Sequence, residues 1–215
     1  MNPRLALKLR ACSWPPRRNL FTMARFLMDS MGAHEAARRA RDVLPNFESK
    51  LLPDKRKFAV LMVCMGNICR SPTAEAVLRH KLAALDLSNL VEVDSAGTHA
   101  AWHANQPPDP RAIAHARLRG YDLTGLRARM LTPNDFERFD LILAMDDDNH
   151  AVLVEKCDAV HRAKLGRLTD HGGLKAREVP DPYYGPPGGF DRVLDLVEDA
   201  CDGLVAHIAS QVPRR

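Results

Sequence analysis

Six consecutive apolar residues, Phe58 to Val63, run with no polar alternation. That pattern predicts a strand covered on both faces, as in a parallel sheet flanked by helices. Asp140-Leu141-Ile142-Leu143-Ala144-Met145 reads as a second buried strand of this kind. Val91 to Asp94 is a third, ending in a Ser-Ala-Gly-Thr turn, and Val160 to Leu165 a fourth. The intervening segments change to helical period. Ala74, Val77, Leu78, Leu82 and Leu85 mark one face of a helix over Pro72 to Leu85. Asp109-Pro110 opens another, running to Leu118 and stopped at Gly120, and Thr132-Pro133 opens a short one. Phe190, Val193, Leu194, Val197, Cys201, Leu204 and Ile208 mark one face of a long closing helix. Strands alternating with helices predict the α/β class: a doubly wound, four-stranded parallel sheet with helices on both faces. Ligand sites in such folds lie at the carboxyl ends of strands.

The chemistry is concentrated at the end of the first strand. Cys64-Met65-Gly66-Asn67-Ile68-Cys69-Arg70-Ser71 forms a Cys-x5-Arg loop between the strand and a helix start. Gly66 and Asn67 tolerate positive φ, so the chain is expected to curl there and turn successive N–H groups toward an anion. Ser71 suits the helix N-cap and Pro72 the first helical position, which aims the positive end of the helix dipole at the loop. Arg70 carries a planar fork of donors matched to two phosphate oxygens. Such surroundings favour the ionised thiol, so Cys64 is expected to stand as a thiolate nucleophile, with the Ser71 hydroxyl donating to its sulfur. Met65, Gly66, Asn67, Ile68, Cys69 and Ser71 would bind phosphate oxygens. The plainer reading of Cys64 and Cys69 is core filling or half of a metal site, and the chain lacks a second cysteine pair to complete a zinc site.

The loop holds no acid. Val179 to Pro187 contains four prolines and Asp181-Pro182-Tyr183-Tyr184. Asp-Pro is commonly a plain turn; here Asp181 is the candidate general acid and base. Tyr183, Tyr184 and Trp102 are candidate walls for an aryl group. Asp146 either orients loop groups or caps the helix that follows. His99 and His103 lie in an expected loop and are read as surface histidines, so no metal and no cofactor is expected.

The chain has 215 residues and a formal charge of +4. Much of the excess lies in the first twenty-eight residues, where Arg4, Lys8, Arg10, Arg17, Arg18 and Arg25 meet no acid. The rest is nearly balanced and carries no nucleic-acid footprint. Five scattered cysteines form no disulfide framework and favour a reducing, cytoplasmic compartment. No apolar run approaches membrane-spanning length. Residues 1–56 read as an N-terminal extension with a short helix from Met31 to Leu44 ended by Pro45, and residues 57–215 as the catalytic domain. The extension is open to three readings: a transit-like segment, a docking element, or sequence upstream of a true start at Met23, Met28 or Met31.

Cys64 to Glu75, CMGNICRSPTAE, resembles the signature of the low-molecular-weight protein tyrosine phosphatases. Asp94-Ser95-Ala96-Gly97-Thr98 and Asp181-Pro182-Tyr183-Tyr184 resemble that family's other two landmarks, in the same order. The resemblance implies hydrolysis of phosphotyrosine proteins or small aryl phosphates through a phosphocysteine. It implies an aromatic cleft wall at Trp102, and a reversible disulfide between Cys64 and Cys69 under oxidation. Relatives acting on phosphoarginine carry threonine where Ile68 stands, so Ile68 favours tyrosine. Some members brace the loop asparagine with a histidine; Gly125 and Leu126 occupy that place here, which leaves open what braces the asparagine but not the chemistry. In a bacterium the family context is a tyrosine-autophosphorylating kinase or polysaccharide export. Two rival readings are an arsenate reductase of the same fold, for which Cys157 and Cys201 are a poor resolving pair, and a non-catalytic phosphotyrosine-binding module. Oligomeric state is not legible.

Overall fold

The structure is a computed structural model, and it describes residues 56–186 and 188–212. The expectations for residues 1–55 lie outside the described residues. The element order is β1 (Phe58–Cys64), α1 (Arg70–Ala84), β2 (Val91–Gly97), α2 (Pro110–Leu118), α3 (Pro133–Arg138), β3 (Leu141–Ala144), α4 (Asp147–Lys156), β4 (Leu165–Arg167) and α5 (Gly189–Gln211). Single 3-10 turns lie at Ala100–His103, Ala159–Lys164 and Leu168–His171.

All four strands are parallel, in the order β2-β1-β3-β4. The unbroken apolar run of β1 is explained by its central place. Val60, Met62 and Cys64 face one core, with residues of α1, α2 and α5. Ala59, Leu61 and Val63 face the other, with Phe136 of α3, Phe139, and Leu153 of α4. Both faces of the strand are therefore dry. The chain leaves β1 toward β2 on one side and returns to β3 on the other, so the topological switch lies between β1 and β3. Their carboxyl ends form the crevice where such sheets bind ligands.

Several boundaries differ from the pattern reading. β2 continues through Ser95-Ala96-Gly97 rather than turning there, because Gly97 pairs with both Cys64 and Met130. The fourth strand is displaced to Leu165–Arg167; Val160 sits in a 3-10 turn, 85% exposed. Three residues suffice for β4 because it is an edge strand paired only to β3. α1 ends at Ala84, which leaves Leu85 outside the core. α2 begins as expected, Asp109 Oδ1 accepting from the Arg111 N–H at 2.8 Å. Every apolar position assigned to the face of α5 is buried.

Candidate active site

Cys64 is the last residue of β1, and the loop that follows is held from four sides. Thr98 N–H donates to Cys64 O and His99 N–H to Met65 O, each at 2.9 Å, and Asp109 N–H donates to Ile68 O at 2.8 Å. Asn67 supplies the fourth anchor, from inside the loop. Its φ is +56°, the left-handed value that asparagine accepts at low cost, whereas Gly66 does not take positive φ. The expected curl is therefore made by Asn67 alone. Its side-chain nitrogen donates to Ser71 Oγ and Ser95 Oγ, each at 2.9 Å, and its oxygen accepts from the Arg129 N–H at 2.9 Å.

That network answers what braces the loop asparagine in the absence of a histidine. Leu126 packs against the core instead of donating a hydrogen bond, and Ser95 with the Arg129 amide takes over the task. Ser95 is fixed in turn by donating to Glu75 Oε2 at 2.5 Å. Burial pushes the Glu75 carboxyl above its usual range, opposed by that hydrogen bond and by Arg79. The Arg129 guanidinium lies between Asp94 and Asp135, at 2.9 and 3.0 Å, so the amide that holds Asn67 is itself held.

The sulfur of Cys64 lies 3.0 Å from Ser71 Oγ and 3.3 Å from the Asn67 N–H. Ser71 Oγ accepts from Asn67, and its one proton has two acceptors in reach, the sulfur at 3.0 Å and Ala96 O at 3.4 Å, of which the sulfur is the nearer. Ser71 is not the N-cap: α1 starts at Arg70 with Cys69 as the flanking residue, and Ser71 turns inward from the first turn. The loop thus delivers two donors to one sulfur that is only 3% exposed.

Arg70 is 3% exposed and meets two carboxylates. Nη1 pairs with Asp146 Oδ2 and also donates to Val179 O at 3.2 Å; Nη2 pairs with Asp181 Oδ2 at 2.9 Å. Burial works against the charge on Arg70, and Cys64, Asp181 and Asp146 together outweigh it, so its pKa rises. Both readings of Asp146 hold, because one oxygen caps α4 at the Asn149 N–H, 2.6 Å away, while the other takes Arg70. This contact bridges the switch point, from the end of β3 to the start of α1.

Asp181 is brought against Arg70 across more than a hundred residues of chain, its side chain 42% exposed. Tyr183 N–H donates to Asp181 Oδ1 at 3.2 Å, and the Tyr183 and Tyr184 rings meet edge to face at 4.7 Å. Tyr184 and Trp102 are the most exposed of the site aromatics, at 94% and 87%. Met65 is exposed at the loop tip, Ile68 packs against the core, and Cys69 is buried. Burial, with Asp109 and Cys64 nearby, pushes the Cys69 thiol up strongly, so it is a neutral neighbour of the sulfur.

Sequence reasoning met Glu75, Ser95 and Gly97 only as letters of motifs and gave them no role, and it did not single out Arg129. A Cβ on Gly97 would lie 2.6 Å from both Met65 O and Ala100 Cβ, so glycine there is a condition of the loop's closeness to β2. The available signal was a polar run, Asp94-Ser95, continuing a strand toward the site. Among the described residues no group of three or more metal-ligating side chains occurs, and no helix is long and apolar enough to cross a membrane.

Residues 59–214 match the family described as low molecular weight phosphotyrosine protein phosphatase. A putative low molecular weight protein-tyrosine-phosphatase of Synechocystis is 41% identical over 155 residues, covering 71% of this chain and 98% of that one. The low molecular weight phosphotyrosine protein phosphatase of Sus scrofa is 39% identical, over 70% of this chain and 95% of its own. Among solved structures, a protein tyrosine phosphatase from Entamoeba histolytica, with Hepes in its active site, superposes with a TM-score of 0.70. It is 39% identical and covers 72% of this chain and 99% of that one. With the family matched over residues 59–214 and relatives about 40% identical covered almost end to end, this chain belongs to the low molecular weight phosphotyrosine protein phosphatases.

Proposed function

We propose that the protein hydrolyses phosphotyrosine in proteins, and small aryl phosphates, with Cys64 as nucleophile, Arg70 as phosphate-binding residue and Asp181 as general acid and base. The carrying observation is the convergence on Arg70: its Nη2 ties the carboxylate of Asp181, and its Nη1 that of Asp146, to the loop whose sulfur lies within reach of Ser71 Oγ and the Asn67 N–H. Cys64 Sγ attacks phosphorus and the bond to the aryl oxygen breaks. The proton of Asp181 goes to the departing phenolate. Water then attacks phosphorus, gives its proton to Asp181, and the S–P bond breaks. The donors from Ser71 and Asn67 stabilise the departing thiolate in this second step, where charge returns to sulfur. Arg70 and the N–H groups of residues 65–70 hold the equatorial oxygens, with Asp146 keeping the guanidinium in plane with them.

Tyr183, Tyr184 and Trp102 serve as walls for the aryl ring, a role supported for the tyrosines by their place next to Asp181 and for Trp102 by its exposure in the turn after His99, whose N–H donates to Met65 O. A disulfide between Cys64 and Cys69 is proposed as oxidative protection, supported by the position of both thiols in one short buried loop. The cytoplasm is the proposed compartment, supported by four free cysteines among the described residues. The arsenate reductase reading is disfavoured because Cys157 and Cys201 lie in separate cores on opposite faces of the sheet. Hydrolysis of p-nitrophenyl phosphate with a chelator present tests the chemistry. Activity should vanish with Cys64→Ser and fall about 10²–10⁴-fold with Asp181→Ala; no turnover by folded, reduced protein would refute it. A phosphotyrosine peptide hydrolysed no faster than a phosphoserine one would refute the substrate class.

A further inference from the structure

Arg111, in the first turn of α2, is not part of the cysteine loop or of the acid segment, yet it touches both through its neighbours. Its Nε and Nη2 grip the Asp109 carboxylate at 3.0 and 2.8 Å, a two-point fork that fixes the plane of the guanidinium. Nη1 is left to donate to Tyr183 O at 3.2 Å. The face of the same guanidinium lies over two rings, 5.3 Å from the centroid of Tyr183 and 5.0 Å from that of Phe190 at the start of α5. Asp109 is anchored to the phosphate loop, since its N–H donates to Ile68 O at 2.8 Å. At the other end, Tyr183 N–H donates to Asp181 Oδ1 at 3.2 Å. An unbroken series of contacts therefore runs from the phosphate loop to Asp109, Arg111, Tyr183 and Asp181.

The acid segment is otherwise tied at its two ends, where Val179 N–H donates to Met145 O at 2.7 Å and Gly189 N–H to Pro186 O at 2.8 Å. Gly185 N–H closes a local turn on Pro182 O at 3.1 Å, and Asp181 itself is bound to Arg70. Arg70 must also serve the phosphate, so its hold on Asp181 competes with substrate. Arg111 has no such second duty, because its partners are the carboxylate of Asp109 and a backbone carbonyl. Asp109 is held below the usual carboxylate range, chiefly by its hydrogen bonds from Arg111, in keeping with a persistent pair.

We infer that Arg111 is a positioning residue for the general acid, setting the height of Asp181 and the Tyr183 wall over the phosphate loop. This rests on the proposed role of Asp181. The consequence is specific to the leaving group. Aryl oxygens that leave poorly need a proton from a well-placed acid, whereas good leaving groups need it less. Loss of the strap should leave phosphate binding and the thiolate intact and should harm the transfer of that proton.

The test uses the full chain and a series of substituted aryl phosphates from p-nitrophenyl to phenyl, with inorganic phosphate as a competitive inhibitor. Arg111→Met should lower kcat/KM for phenyl phosphate by roughly 10-fold or more, and for p-nitrophenyl phosphate by less than about 3-fold. The inhibition constant for phosphate should stay within about 2-fold, and Arg111→Lys should fall between Met and wild type. The double variant Arg111→Met/Asp181→Ala should match Asp181→Ala alone, because the strap has nothing left to position. Equal losses across the series, or a double variant that falls further by the whole Arg111→Met factor, would overturn the inference. An Asp181→Ala variant with undiminished activity would instead remove the acid assignment itself, and the positioning role with it.

Discussion

Substituting Gly97 by alanine adds one methyl group where β2 crosses behind the catalytic loop. The added carbon would lie 2.6 Å from Met65 O, 2.6 Å from Ala100 Cβ and 3.1 Å from Asn67 N. Carbon contacts are comfortable at about 3.5–4.0 Å, so relief requires a displacement on the order of 1 Å. Gly97 itself cannot yield easily: its N–H donates to Arg129 O and its carbonyl accepts from Leu131 N–H, both at 2.9 Å, and the adjacent Thr98 N–H is tied to Cys64 O. The loop moves instead. Two of the three obstructing atoms belong to it, and one of them, the Asn67 nitrogen, donates to the Cys64 sulfur at 3.3 Å. Forcing a methyl into such packing costs about 1–3 kcal/mol of stability. A displacement of this size at the reacting atoms costs about 100-fold in rate, or about 2.7 kcal/mol of transition-state binding. Urea denaturation measures the first quantity and kcat/KM with p-nitrophenyl phosphate the second. Folded Gly97→Ala protein with wild-type kcat/KM would refute the argument that β2 sets the position of the loop.

Asp146→Asn keeps a cap for α4 but removes the charge facing Arg70; stability should change by less than about 1 kcal/mol while the inhibition constant of phosphate rises about 10-fold, and Asp146→Ala should lose the cap's roughly 1 kcal/mol as well. Ser71→Ala should slow breakdown of the phosphoenzyme more than its formation, so that a burst of p-nitrophenol precedes a reduced steady rate in stopped flow. Glu75 has a raised pKa in the folded state, so it holds its proton more tightly there than in the unfolded chain. Its contribution to stability is fully present below the unfolded value of about 4.3 and is lost as pH rises through the folded value. Glu75→Gln should therefore flatten the fall in stability above about pH 4.3, measured by denaturant midpoints across pH; an unchanged slope would contradict the shift.

The sheet class and the Cys-x5-Arg loop after β1 were legible because both depend on short-range pattern. An unbroken apolar run such as Phe58 to Val63 is buried on both faces in almost any packing, and a cysteine, a glycine, an asparagine and an arginine between that run and a helix have few other uses. The long face of α5 was legible for the same reason, since one helix buries one stripe. What failed was local where tertiary pairing decided the outcome. Leu165–Arg167 is a strand only because β3 offers it an edge, and β2 runs on through Gly97 only because Cys64 and the segment at Met130 lie beside it. Ser71 has the chemistry of a cap, yet it turns inward, where the sulfur 3.0 Å away and Ala96 O at 3.4 Å are its partners.

Side-chain type and chain order thus determined the class of the fold and the loop with its buried sulfur. The partners were decided only when the chain closed. Asp146, Asp181, Glu75, Ser95 and Arg129 are ordinary polar residues in sequence, separated from the loop by as many as 111 positions. They acquire their roles because burial removes water from Arg70, Asn67 and Glu75, and each buried polar group must then find a partner within about 3 Å. Which partner it finds is a property of the sheet order and of where β1, β2 and β3 end.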